Sequence, residues 1–187
     1  MPGVIVLGID PGSRRCGYGV VAREGGLLRV LESGVLVPGE RPMAVRLALL
    51  LEGLTLVIER ARPDEVAVEQ VFSGVSPRSA LVLGQARGVA LAVAARAGLP
   101  VHEYAPSAVK LAFTGSGRAG KDQMIHTARA ILGVTAERSD EADALALAVC
   151  HLARRPRSRT EAPAPAETAA RARARLRPSR RDHRSAP

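Results

Sequence analysis

Cysteine, lysine and aromatic residues are all scarce in this chain of 187 residues, and tryptophan is missing. The two cysteines, Cys16 and Cys150, lie far apart with no ligand spacing. That excludes a disulfide framework and a cysteine-built zinc site, and it fits a reducing, cytoplasmic setting. His102, His126, His151 and His183 form no ligand pattern either. The opening apolar run, VIVLGID, is too short for a signal peptide or a membrane span and lacks a basic start. Later apolar runs are broken by Arg, Glu or Gly before spanning length, so no membrane segment is expected.

Charge is plentiful and unevenly spread. The formal net charge is +9, but residues 154–187 alone carry eleven Arg against three acids, or +8. Residues 1–153 are close to neutral at +1. The tail is built from Arg, Ala, Pro, Ser, Thr and Glu, with Leu176 its one large apolar residue. Such a segment buries too little to offset ordering entropy, so 154–187 is expected to be a disordered basic tail. Residues 1–153 are long enough to form one domain with a real core.

Within that domain the patterning alternates. Strands are expected over 3–10, 17–23 and 27–37, the last two joined by EGG as an antiparallel hairpin. A helix over 42–61, a strand over 65–71, a helix over 77–97 and a short strand in PVHEYA follow. Helices over 106–113, 121–132 and 139–153 complete an α/β pattern.

Four acids stand out because each sits against an apolar run. Asp10 ends VIVLGID, Glu69 interrupts EVAVEQVF, and Asp140 and Asp143 open SDEADALALAVCHLA. Val66, Val68 and Val71 make the Glu69 segment read as a covered strand, where a lone carboxylate would cost several kcal/mol unless paired or metal-bound. Asp140 and Asp143 are three apart and share one helix face, with Glu141 directed elsewhere. Two carboxylates ~4 Å apart repel by ~4 kcal/mol at an effective dielectric of 20, so a convergent set needs cations. With no His or Cys among them, the set suits hard, oxygen-binding ions, Mg²⁺ or Mn²⁺, better than zinc.

The segment GSGRAGKD at 115–122 nearly matches two nucleotide-binding motifs. Asp122 stands where a phosphate loop needs Ser or Thr, and the preceding SAVKLAFT reads as helix, so both are rejected. A loop presenting Arg118 and Lys121 to a phosphate backbone is the better reading. Against twenty-five Arg, the two lysines, Lys110 and Lys121, mark places where a compact ammonium works and a planar guanidinium does not. Phe72, just past the Glu69 strand, is placed to stack on or wedge against an unpaired base.

Together GIDPGSRRCGYGVV, VAVEQVF, LGQARGVAL, EYAPSAVK and DEADALALAV resemble the RuvC family of Holliday junction resolvases over residues 3–153. The resemblance implies a ribonuclease H-like fold, a five-stranded mixed sheet flanked by helices. It implies that Asp10, Glu69, Asp140 and Asp143 bind two Mg²⁺ or Mn²⁺ ions and catalyse phosphodiester hydrolysis. Lys110 and Lys121 would then flank the cleft, and Phe72 would engage the junction. A homodimer is expected because a four-way junction is two-fold symmetric, with Gly84 and Gly88 of helix 77–97 allowing close approach. Cooperation with the RuvA–RuvB branch-migration complex is implied by the family alone. The family's helix pair can be His-x-x-Asp, whereas this chain has Asp140 first. Rival readings are an actin-type ATPase, which needs a far longer chain, a YqgF-like nuclease acting on RNA, and a non-catalytic junction-binding scaffold.

Overall fold

The computed structural model describes residues 3–70 and 76–155. Phe72 and nearly all of the 154–187 tail lie outside them. Five strands, β1 (Val4–Asp10), β2 (Cys16–Glu24), β3 (Leu27–Leu36), β4 (Glu65–Glu69) and β5 (Val101–Tyr104), form one sheet. Their spatial order is β3-β2-β1-β4-β5. β1, β2 and β3 are antiparallel neighbours, while β4 and β5 run parallel to β1. The expected mixed sheet is therefore the observed one.

Helices cover both faces, which is why β1 and β4 read as continuous apolar runs rather than alternating ones. On one face, α1 (Met43–Ala61) and α2 (Pro77–Arg96) pack on Leu7, Ile9, Val20, Val66 and Val68. On the other, α3 (Pro106–Thr114), α4 (Lys121–Leu132) and α5 (Ser139–Arg154) pack on Val6, Val21 and Ala67. Local signals set the helix ends. Ser76 caps α2 by accepting the Ser79 backbone N–H at 3.2 Å, with Pro77 in the first turn.

The sequence reading carried the Glu69 strand to residue 71; the ladder instead ends at Glu69. The next backbone bond, Gln70 N–H to the Tyr104 carbonyl at 2.9 Å, closes it against the end of β5. Glu69 thus stands at a strand end, where its side chain can reach a cleft.

α5 is the central helix of the domain, with buried side chains on nearly every turn. It lies directly on the sheet because glycines lie beneath it. A Cβ at Gly8 would overlap the Ala144 carbonyl, and one at Gly17 would overlap the Asp140 carbonyl. Gly17 is the antiparallel partner of Asp10. The same missing side chain that admits the helix therefore sets its first turn beside Asp10.

Candidate active site

The four acids converge at one end of the sheet. Asp10 and Glu69 close two adjacent parallel strands, one step past the last paired residues, Ile9 and Val68. Asp140 and Asp143 lie in the first turns of α5. Glu141, between them, is buried and turned away. It accepts the Ser33 hydroxyl at 2.6 Å and the Glu137 N–H at 3.2 Å, which anchors the helix start to β3.

The electrostatics of this end are those of an under-compensated cluster. Burial pushes Asp10 well above the ordinary carboxylate range, and Glu69, Asp143 and Asp140 each add repulsion. Burial, then Asp143, raises Glu69 to about 7, against a partial offset from Lys110. Asp143 is raised by burial and by Asp140, opposed by Lys110 and Lys121. Cys16, buried beside Asp10, is pushed up to about 12, so it is an inert thiol.

These shifts also locate the two lysines. Lys110, half-buried on α3, acts on both Glu69 and Asp143, and Lys121, at the exposed start of α4, acts on Asp143. Arg118 is exposed on the loop between those helices and makes a backbone bond to the Ser116 hydroxyl at 3.4 Å. No contact joins it to the acids among the described residues.

The donor set is all carboxylate oxygen and carries repulsion that a hard divalent cation would relieve, so these residues fit such an ion. Beside it runs a cleft of about 500 Å³ lined by Gly12, Ser13, Arg14, Arg15 and Asp140, among others. An adjoining hollow of about 430 Å³ is walled by Arg14, Arg46 and Arg78. Asp140 opens on to this cleft and arginines line its walls, an arrangement that suits a polyanion.

Residues 6–151 match the profile of the family described as "Crossover junction endodeoxyribonuclease RuvC". The chain belongs to the RuvC family. A RuvC crossover junction endodeoxyribonuclease of Anaeromyxobacter sp. (strain K) is 74% identical over 185 residues, spanning 98% of this chain and 100% of that relative. One from Anaeromyxobacter sp. (strain Fw109-5) is 75% identical over 153 residues, 81% of this chain and 74% of that relative. The solved structure of T. thermophilus RuvC in complex with Holliday junction substrate matches with a TM-score of 0.73 and 37% identity. It covers 80% of this chain and 93% of its own. RuvC membership and the carboxylate set together point to divalent-metal use.

Sequence reasoning missed several residues at this end of the sheet in this RuvC family member. Arg87 of α2 donates through Nε to the Glu69 carbonyl at 3.3 Å and pairs with Glu103 at 2.6 Å. It ties the strand end that carries Glu69 to the neighbouring strand. Its only signal was its place in LGQARGVAL. Arg14, Arg46 and Arg78 come from three separate segments and gave no signal among so many arginines. The histidine reading needs correction: His102 and His151 do converge, with Glu65, at the far end of the sheet. Glu65 and His151 stand 86 residues apart in the chain with His102 between them, so no local spacing could reveal the cluster. No helix among the described residues is long and apolar enough to cross a membrane.

Proposed function

We propose that this chain is a Holliday junction resolvase that nicks two symmetric strands of a four-way DNA junction, in recombination and repair. One observation carries the reading: four carboxylates from three separate elements meet at one sheet end, with Lys110 and Lys121 as opposing charges. A fold that merely bound junctions would have no use for such a costly cluster.

Asp10, Glu69, Asp140 and Asp143 would hold two Mg²⁺ or Mn²⁺ ions. Bound there, the ions would lower the pKa of the attacking water and stabilise charge on the departing 3′-oxygen. The protein's own groups do the rest. Lys110 and Lys121 oppose the upward shift of Asp143 and would present ammonium groups to the scissile phosphate. Arg87 holds the Glu69 backbone in register, and Ser33 with Glu141 fixes the helix start. The arginine walls position flanking phosphates, and Arg118 with Phe72 would add contacts to the junction. Products would be 5′-phosphate and 3′-hydroxyl ends.

A two-fold substrate calls for two copies of the site, hence a homodimer. The exposed stripe of α2 supports this: Leu81 is 67% exposed, and nothing lies within 4 Å of where a Cβ would stand on Gly84 or Gly88. The RuvA–RuvB complex would deliver the junction, and the tail over 154–187 would add salt-sensitive phosphate contacts. The setting is cytoplasmic.

Cleavage of a mobile four-way junction, a linear duplex and an RNA–DNA hybrid in Mg²⁺ or Mn²⁺ tests the reading. Paired, symmetric, religatable nicks in the junction alone are expected. Preference for the hybrid would favour an RNA-directed nuclease, and tight junction binding without cleavage would leave a scaffold.

A further inference from the structure

β4 carries a second acid on the same face as Glu69, at its opposite end: Glu65, which is 4% exposed. Two imidazoles face it. The Nε2 atoms of His151 and His102 lie 2.5 and 3.1 Å from the same oxygen, Glu65 Oε2. All three ligating atoms fall within 4.8 Å of one another. We propose that Glu65, His102 and His151 form a second metal site, for a zinc-class cation, separate in place and donor type from the carboxylate cluster.

The deciding observation is an orphan. His102 Nε2 is buried and has no hydrogen-bond partner, since its approach to Glu65 lacks hydrogen-bond geometry. A closed network of hydrogen bonds would leave no such atom, because an unpaired buried polar group is costly. A cation between the three groups would satisfy it. Donors on a tetrahedral zinc ion at 2.0–2.1 Å stand about 3.3 Å apart. The His102–Glu65 spacing is already close to that. The His151–Glu65 pair must open by less than about 1 Å, the change expected when a shared proton gives way to a cation.

The outer contacts are also those of a ligand set. His151 Nδ1 is engaged by the Tyr104 hydroxyl at 2.6 Å, which leaves Nε2 to face inward. Arg155 holds Glu65 Oε1 at 2.8 Å, which leaves Oε2 to face the rings. Two imidazoles and one carboxylate select zinc, cobalt or nickel over magnesium and leave a fourth position open. The His102 side chain is 41% exposed, which gives water a path to that position. Occupancy would clamp β4, β5 and the end of α5 together, far from the nuclease cleft. Nothing in this depends on the nuclease reading.

The test uses the full chain, freed of metal and titrated with Zn²⁺ alone and with Co²⁺ alone. Wild type should take up zinc at one site that survives the double change Asp10→Asn with Asp143→Asn and weakens at least about tenfold in His102→Ala. The Co²⁺ form should show the intense visible bands of a four-coordinate site, a readout that needs no variant to fold. Weak six-coordinate bands, zinc uptake indifferent to His102→Ala, or uptake lost with the two aspartates would each overturn the proposal.

Discussion

Glu65 and Glu69 stand four residues apart on one face of one strand, yet their surroundings are opposite. Glu69 sits among Asp10, Asp140 and Asp143, with two lysines as its opposing charges, and is raised to about 7. Glu65 sits against Arg155, His151 and His102 and is matched on both oxygens. α5 runs between the two places, carrying acids at its start and His151 three turns on. Four strand residues rise about 13 Å, and the eight helix residues from Asp143 to His151 rise about 12 Å, so one strand and one helix reach both ends in step. At the far end Glu65 is paired with Arg155 and His151, whereas the acids at the cleft repel one another.

The sharpest way to break this comparison is to remove one acid from each end. Asp143→Asn should reduce junction cleavage by a factor on the order of 10³ or more, with metal-free melting temperature unchanged or raised. A large fall in that temperature would make Asp143 structural and erase the contrast. Glu65→Ala should do the reverse, costing about 3–5 kcal/mol in denaturant unfolding because Arg155 and His151 lose their acceptor. A loss under about 1 kcal/mol would show that the far end is not the supporting one.

Next in size, Gly17→Ala should push the first turn of α5 off β2, since its Cβ would meet the Asp140 carbonyl. An overpacking cost of about 1–3 kcal/mol is expected, with cleavage reduced even in saturating Mg²⁺.

The two ends should also differ in the sign of their pH dependence. Glu69 is raised from 4.5 to about 7, so the folded state binds its proton more tightly than the unfolded chain does. Its contribution is present below about pH 4.5 and lost as pH rises through about 7. His151 is lowered from 6.5, so its contribution is present above that value and lost as pH falls through its folded value. Melting in chelator across pH 4.5–8 should therefore show a loss on the alkaline side that Glu69→Gln removes and Mg²⁺ suppresses. An unchanged slope in Glu69→Gln would break the assignment.

The smallest effect concerns the tail. Deleting 154–187 should flatten the salt dependence of junction binding by about 0.9 log units per lost phosphate contact, with junction selectivity kept. Loss of selectivity would give the tail a role beyond charge.

Much of this molecule was legible before any coordinates. The strands and helices fell within a few residues of expectation because apolar runs, Ser76-Pro77 and the EGG turn are local signals. The acids were legible for a different reason: a charge set into VIVLGID or EVAVEQVF is expensive, and the expense itself is visible in the sequence. The Glu65 cluster was not legible. Glu65 follows Pro63 and Asp64 at a strand start, where an acid is ordinary, and single histidines carry no pattern.

The sequence by itself determined the element order, the near-neutral body with its basic tail, and which acids sit where a charge is costly. Each follows from neighbours in the chain, where burial and charge can be weighed residue by residue. Only the tertiary structure decided that Gly8 and Gly17 let α5 touch the sheet, that Arg87 tethers Glu69, and that two histidines meet Glu65. Those depend on register and helix placement, which bring together groups that the chain itself keeps far apart.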